Sequence, residues 1–201
     1  MFKQLESAEA YKAFYDEQGK HYGNHHLTED FPRVKFILER VKPTDVVLEM
    51  GCQTGGVTRL VAPKVNHVYA NELSDTYRER AKEVLQGLDN ITLIPGFAEG
   101  LGDWHVTSGK CDVVIAMELL EHVKDLNDLC WSVWKCLRVT DWEFMEKTGR
   151  ALFSVPKGYT DALGEHVREF TEQSFRELLE YHFVEVEITD AGEWYLAEAR
   201  P

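Results

Sequence analysis

The sequence predicts a single α/β domain whose core is a seven-stranded, mostly parallel, doubly wound sheet that ends in an antiparallel hairpin. Three observations predict this fold class. Short apolar segments recur along the chain, and helical patterns separate most of them, which is the alternation typical of a parallel sheet. The last two segments are separated only by a short polar turn around Asp190 and Gly192, so these two strands must run antiparallel.

The segments with strand composition begin with a β-branched run in "DVVLEMG" and continue at regular intervals to the end of the chain. The predicted strands are residues 45–51, 67–73, 91–96, 111–118, 150–156, 183–189 and 194–200.

Helices fill the intervals between these strands. One helix precedes the first strand, because apolar residues in "DFPRVKFILERVK" recur at i, i+3, i+4 and i+7. These residues are Val34, Ile37, Leu38 and Val41. Ser74 is a suitable N-cap for a second helix over 74–88. "DLNDLCWSVWKCLR" predicts a third helix, and "TEQSFRELLEYHF" predicts another that leads into the sixth strand. The apolar face of the third helix consists of Leu126, Leu129, Cys130, Val133, Trp134 and Leu137.

Composition and charge limit the classes of function. A chain of 201 residues suits one domain, and its net charge of −13 disfavours nucleic acid as a partner, because nonspecific binding to phosphates needs clustered Lys and Arg. The four cysteines form no CxxC pair, so we expect reduced, structural thiols. The N-terminus lacks the apolar core of a signal peptide, and no apolar run approaches the length of a membrane span. We therefore expect a cytoplasmic protein with no membrane partner.

A cluster of small residues follows the first predicted strand in "VVLEMGCQTGG". Gly51 and Gly55 lie at the carboxyl end of a buried strand, which is where open α/β sheets bind ligands. Glycine lets the backbone approach a ligand closely and adopt dihedral angles that other residues avoid. Glu72 ends the second strand, where its carboxylate can accept hydrogen bonds from the two hydroxyls of a ribose. One compatible ligand is a nicotinamide dinucleotide, since these residues also match a weakened dinucleotide fingerprint.

The order of elements and the motifs resemble those of the class I S-adenosylmethionine-dependent methyltransferases. Glu49, Gly51 and Gly55 match the family's acidic-x-Gly-x-Gly-x-Gly motif, with Gln53 in place of the middle glycine. "AMELLEHV" after the fourth strand looks like the family's motif at that point, and the C-terminal hairpin is also typical of the family. The resemblance covers nearly all of residues 30–200 and implies S-adenosylmethionine as the cofactor.

The resemblance also implies which residues bind the cofactor. Glu49 would lie near its ammonium group, Glu72 would bind the ribose, and Phe97 replaces the aspartate that usually holds the adenine amino group. The predicted cofactor-binding residues are Glu49, Gly51, Cys52, Gln53, Gly55, Glu72, Leu73, Phe97, Ala98, Met117 and Glu118.

His122 and His166 are the predicted catalytic residues, because a neutral imidazole is a suitable base for a small-molecule acceptor that is methylated at oxygen or nitrogen. An alternative is that Glu118, Glu121, His122 and His166 hold a divalent cation, an arrangement that resembles the RNA 3′-terminal 2′-O-methyltransferases. We expect no metal here. A further alternative is a cofactor-binding partner without activity of its own.

The N-terminal segment, residues 1–29, precedes the predicted cofactor-binding domain over 30–201. It is rich in aromatic and imidazole side chains, which suit a lid that excludes water from a cofactor site. These side chains are Tyr15, His21, Tyr22, His25 and His26. A flexible, solvated leader is the alternative.

Overall fold

The structure is a computed structural model that describes residues 7–21, 27–141, 146–158 and 166–201. Its helices are α1 (Ala8–His21), α2 (Pro32–Leu38), α3 (Thr58–Val61), α4 (Asp75–Val84), α5 (Leu126–Cys136) and α6 (Glu172–His182). Its strands are β1 (Val46–Met50), β2 (His67–Glu72), β3 (Ile91–Pro95), β4 (Val113–Met117), β5 (Val139–Asp141), β6 (Glu146–Lys147), β7 (Arg150–Pro156), β8 (Glu185–Asp190) and β9 (Trp194–Arg200).

Seven of these strands form one sheet in the order β3-β2-β1-β4-β7-β9-β8. The pairs from β3 to β7 are parallel, whereas β9 runs antiparallel to both β7 and β8. The predicted fold class and its C-terminal hairpin are therefore confirmed. Strands β5 and β6 form a separate two-stranded antiparallel sheet that the sequence did not predict.

The core lies on both faces of the sheet, because successive side chains of a strand point to opposite faces. Val47 packs in one apolar cluster together with α2 and α3, and its neighbour Leu48 packs in the other together with α5 and α6. All four cysteines are buried and free, as expected for structural thiols. Within the described residues, no helix is long and apolar enough to cross a membrane.

Side-chain caps fix the starts of the long helices that pack on the sheet. The hydroxyl of Ser74 accepts a hydrogen bond from the backbone N–H of Tyr77, which confirms the predicted cap of α4. Thr171 forms a capping box at the start of α6. Two predicted helices end early, so Val41 lies beyond α2 and Leu137 is extended at the end of α5.

Part of the N-terminal segment is helical. Helix α1 is held against α4 by Asp16, whose carboxylate accepts a hydrogen bond from Ser74 at 2.7 Å, and by Lys12, whose ammonium lies 2.6 Å from Asp75. Tyr15 and His21 belong to this helix, whereas Tyr22, His25 and His26 lie outside the described residues. The described part of the leader thus contains a helix that is anchored beside the carboxyl ends of the strands.

Candidate functional site

A cleft opens at the carboxyl ends of the first four strands of the sheet. The chain crosses to opposite sides of the sheet after β1 and after β4, and an open α/β sheet binds its ligand at such a switch point. The cleft holds about 670 Å³ of empty space, part of which is open to solvent. Its lining is Tyr11, Tyr15, Gly51, Gln53, Asn71, Glu72, Leu73, Tyr77, Gly96, Phe97, Ala98, Glu99, Glu118, Leu119, His122 and Val123.

The turn after β1 passes through left-handed backbone conformations at the edge of the cleft. Gly51 has φ +75° and Gln53 has φ +52°. A Cβ atom at Gly51 would lie 3.1 Å from the side chain of Leu119, so the turn needs glycine there both for its backbone and for its space. Gln53 takes the same conformation with a side chain, which costs roughly 1 to 2 kcal/mol. Its backbone N–H compensates by donating to Glu72 at 2.9 Å.

Glu72 lies at the end of β2 and is the buried carboxylate of the cleft. Its two oxygens accept the backbone N–H groups of Gln53 at 2.9 Å and Ser74 at 2.8 Å. Burial raises the pKa of Glu72, and these two hydrogen bonds oppose that rise. Because each carboxylate oxygen can accept more than one hydrogen bond, Glu72 retains acceptor capacity for ligand hydroxyls.

Glu49 is buried below the turn and does not line the cleft. The hydroxyl of Thr58 donates to its carboxylate at 2.6 Å, and burial raises the pKa of Glu49 to about 7. In this conformation the carboxylate of Glu49 therefore does not face the cleft, where the predicted contact with the cofactor's ammonium group would form. Cys52, Gly55 and Met117 are likewise absent from the lining, and a Cβ atom at Gly55 would meet Leu85 at 3.0 Å.

Phe97 and Ala98 follow β3 and line a wall of the cleft, as does Leu73 after β2. The ring of Phe97 lies 6.1 Å from the ring of Tyr11 on α1, so the leader helix contributes an aromatic side chain to the same wall. This arrangement provides apolar surface for a flat ring, with Asn71 beside it.

Glu118 lies just after β4 in a strained conformation with φ +51°. Its carboxylate is held from several sides, since it accepts hydrogen bonds from Ser154 at 2.7 Å and Trp194 at 2.9 Å. The guanidinium of Arg33 lies 3.1 Å from it. These contacts fix Glu118 in the cleft lining beside the half-buried guanidinium of Arg33.

His122 lines the cleft and is contacted by two tyrosines of α1. The hydroxyl of Tyr15 lies 3.1 Å from Nδ1 of His122, and the hydroxyl of Tyr11 donates to the backbone carbonyl of the same residue. Nε2 of the same ring lies 4.0 Å from a carboxylate oxygen of Glu121. His122 thus sits at the junction between the cleft and the leader helix.

His166 does not line the cleft, but its ring lies 4.8 Å from the ring of His122. Glu121 lies beside these two imidazoles: one nitrogen or oxygen atom of Glu121, His122 and His166 each lies within 4.8 Å of the other two. Glu121 is 1% exposed, and both of its carboxylate oxygens lack a hydrogen-bond partner among the residues that the structure describes. Burial and the neighbouring Glu118 charge raise the pKa of Glu121 well above its usual range.

Several lining residues were missed by the sequence prediction of the site. Tyr11 precedes the predicted Tyr15 by four residues, so the two face the same side of one helix, and this spacing was the available signal. Asn71 precedes Glu72, but its side-chain amide donates to the carbonyl of Gly96, just beyond β3, at 2.9 Å. Leu119 and Val123 belong to an apolar motif that gave no sign of facing a ligand.

Comparison with known proteins identifies the family. The model of the family described as "Methyltransferase domain" matches residues 21–182. An Archaeoglobus fulgidus protein named "Probable cobalt-precorrin-6B C(15)-methyltransferase (decarboxylating)" is 41% identical over 63 residues, which are 30% of this chain and 36% of that protein.

Solved structures share the whole fold at low sequence identity. An S-adenosylmethionine-dependent methyltransferase from Aquifex aeolicus superimposes with a TM-score of 0.72 at 15% identity, over 92% of this chain and 97% of that chain. The precorrin 8W decarboxylase of Methanobacterium thermoautotrophicum superimposes with a TM-score of 0.59 at 19% identity, over 87% of this chain and 91% of that chain. The chain therefore belongs to the methyltransferase-domain family, and its fold is that of the class I S-adenosylmethionine-dependent methyltransferases.

Proposed function

We propose that this methyltransferase uses S-adenosylmethionine to methylate a small-molecule acceptor at oxygen or nitrogen. The observation that carries the proposal is the cleft itself, which is lined by both the buried carboxylate of Glu72 and the imidazole of His122. The family and the fold support the choice of cofactor.

The residues of the cleft suit this cofactor. Glu72 combines burial with free acceptor capacity, which fits the two hydroxyls of a ribose. Gly51 presents backbone without a side chain at the adjacent turn, and Phe97 with Ala98 offers apolar surface to an adenine ring. When bound, S-adenosylmethionine supplies a methyl group on a positively charged sulfur that is open to attack by a nucleophile.

The acceptor would lie at the His122 end of the cleft. The hydroxyl of Tyr15 lies 3.1 Å from Nδ1 of His122. In the tautomer in which Nδ1–H donates to this hydroxyl, Nε2 would accept a proton from an acceptor O–H or N–H group. His166 stands edge-on to His122 and extends this polar end. Alignment of the acceptor with the methyl group supplies much of the rate enhancement in such a displacement.

The leader helix supports a closed site. Tyr11 and Tyr15 both line the cleft and both contact His122, so α1 covers the end at which the acceptor would bind. Exclusion of water there strengthens every electrostatic contact to the reacting groups. We propose that the segment over 1–29 acts as the lid of the domain over 30–201.

A small acceptor is favoured by the acidic chain, whose net charge of −13 opposes binding of a polyanion. A second candidate is methylation at carbon, because the Archaeoglobus relative is named for a C(15)-methyltransferase. That likeness covers 30% of this chain and leaves the acceptor atom to experiment.

The test is release of S-adenosylhomocysteine by the purified chain in the presence of a panel of small phenols, amines and carbon nucleophiles. We expect release in proportion to the acceptor consumed, and a loss of turnover in His122→Ala with unchanged cofactor affinity. Cofactor binding without release by any acceptor class would instead support a cofactor-binding partner without activity.

A further inference from the structure

We propose that Arg33 is a positioning residue of the cleft, which holds Glu118 in its left-handed backbone conformation and so keeps the turn after β4 in the shape that binds the cofactor. Arg33 does not line the cleft, so it would act through Glu118, which does. The proposal rests on the proposed function, because it concerns the affinity of the same cleft for the cofactor. It adds a residue of α2 that no motif in the sequence singled out.

The first support is the backbone of Glu118. Its φ is +51°, in a region that residues other than glycine rarely adopt. In the described part of the chain, Gln53 is the one further non-glycine residue with a positive φ, and both residues line the cleft. Strained residues persist only where the surrounding contacts hold them, and they cluster at active sites and ligand-binding sites. The conformation of Glu118 is therefore a feature of the cleft that needs a cause.

The second support is the set of contacts that hold Glu118. The hydroxyl of Ser154 donates to one carboxylate oxygen at 2.7 Å and accepts the backbone N–H of Glu118 at 3.0 Å. The other oxygen accepts the indole N–H of Trp194 at 2.9 Å and lies 3.1 Å from the guanidinium of Arg33. Arg33 is the charged partner of these three, and a charge-assisted contact between an arginine and a carboxylate is stronger than a neutral one.

The third support is the way in which Arg33 itself is placed. The central carbon of its guanidinium lies 5.1 Å from the centroid of the Phe31 ring and 5.5 Å from that of Trp194, so two aromatic rings border the cation. Its Nε is buried without a hydrogen-bond partner among the residues that the structure describes. A buried donor without a partner is costly. The fold thus accepts a cost at Arg33 beside the strained backbone of Glu118.

The turn that Glu118 opens reaches two other parts of the cleft. The next residue, Leu119, packs beside the turn after β1, because a Cβ atom at Gly51 would lie 3.1 Å from its side chain. The carbonyl of Leu119 also accepts the backbone N–H of His122 at 3.0 Å. Relaxation of Glu118 to a negative φ would redirect the chain at Leu119 and disturb both contacts. Loss of Arg33 should therefore weaken cofactor binding without removal of a cofactor contact.

The experiment measures the Kd of S-adenosylhomocysteine by isothermal titration calorimetry in Arg33→Met, which removes the guanidinium and keeps an unbranched side chain between the two rings. If Glu118 relaxes in the free variant, the ligand must restore the strained conformation. We therefore expect the Kd to rise about 5- to 150-fold, the factor that corresponds to the usual cost of such a residue. Arg40→Met is the matched control, because Arg40 also stacks on a phenylalanine, Phe36, and pairs with a glutamate, Glu198, but away from the cleft. It should leave the Kd unchanged.

A double-mutant cycle tests whether Arg33 acts through Glu118. Glu118→Gln is nearly isosteric, and the double variant Arg33→Met/Glu118→Gln avoids the unpaired carboxylate that could unfold Arg33→Met. The rise in Kd of the double variant should be smaller than the product of the two single rises, because both changes break one contact. Single rises that multiply would overturn the proposal.

Arg33→Lys supplies a rescue, since it returns a positive charge to the side of Glu118 without the planar guanidinium. It should bind S-adenosylhomocysteine more tightly than Arg33→Met does. Equal binding by these two variants would show that the pairing with Glu118 does not govern affinity, and would overturn the proposal.

The parent chain separates this proposal from the proposed function. If the parent and Arg33→Met bind S-adenosylhomocysteine equally well and only the Tm of the variant falls, Arg33 is a structural residue and the proposed function stands. A parent that binds no S-adenosylhomocysteine would refute the proposed cofactor, and with it the role of Arg33.

Discussion

Replacement of Glu72 by alanine tests the assignment of the ribose-binding residue. The carboxylate of Glu72 already accepts two backbone N–H groups, at 2.9 and 2.8 Å, and each oxygen can accept one further hydrogen bond from a ribose hydroxyl. Hydrogen bonds to a charged acceptor contribute about 1.5 to 3 kcal/mol each. Burial, which raises the pKa of Glu72, makes the carboxylate costly to keep and offsets part of that gain.

We therefore expect Glu72→Ala to weaken S-adenosylhomocysteine binding by about 1 to 3 kcal/mol, which is roughly 5- to 150-fold in Kd. Loss of the two backbone contacts should also lower the free energy of unfolding by about 1 to 3 kcal/mol. Isothermal titration calorimetry measures the first effect, and urea denaturation measures the second.

Glu83→Ala is the matched control. Glu83 is an exposed acid on α4, so its replacement removes the same charge as Glu72→Ala without touching the cleft. It should leave both quantities within the error of the parent. A folded Glu72→Ala variant that binds S-adenosylhomocysteine as tightly as the parent would refute the assignment of Glu72 to the cofactor.

Three further predictions concern the turn, the buried acid below it and the leader helix. Gly51→Ala should destabilise the fold by about 1 to 2 kcal/mol and also weaken the binding of S-adenosylhomocysteine. The control is Gly192→Ala, where φ is a similar +80° but the space around the Cβ position is open; it should destabilise the fold without changing this binding. Glu49 has a pKa raised from 4.5 to about 7, so the folded state binds more protons in that window and stability falls as pH rises through it. Relative to Glu49→Gln, the ligand-free parent should lose about 3 kcal/mol between those pH values in urea denaturation. Tyr15→Phe removes the hydroxyl beside His122 and should lower turnover about tenfold with unchanged S-adenosylhomocysteine affinity.

Each of these predictions has a contradicting result. Equal cofactor affinity in the Gly51→Ala and Gly192→Ala variants would show that the turn after β1 does not approach the ligand. Parallel pH profiles for the parent and Glu49→Gln would show that Glu49 titrates normally in the folded chain. Full turnover in Tyr15→Phe would show that the tyrosine does not orient His122.

The centre of the sheet could be predicted from sequence because β1, β4 and β7 are almost entirely buried and carry their signal in apolar composition alone. The short hairpin around Gly192 likewise fixed the direction of the last strand. Strands β5 and β6 could not be predicted, since each is only two or three residues long and neither belongs to the core. Helix α1 was also missed, because its weak apolar stripe contacts the cleft through tyrosines rather than the core through aliphatic residues.

The candidate site was predictable where function requires a particular backbone position. Gly51 and Glu72 lie at the ends of predicted strands and Phe97 directly follows one, and all of them line the cleft. Side-chain direction was not predictable. Glu49 points away from the cleft to Thr58, and Glu121 turns inward toward two imidazoles that are 44 residues apart in the chain, at His122 and His166. Such convergence depends on tertiary packing, which no local pattern encodes.

The most direct test of the account is calorimetry of the purified chain with S-adenosylhomocysteine and, in parallel, with NAD and NADP. We expect saturable binding of S-adenosylhomocysteine that weakens in Glu72→Ala, and no binding of either dinucleotide. Tight binding of a dinucleotide together with no binding of S-adenosylhomocysteine would contradict it.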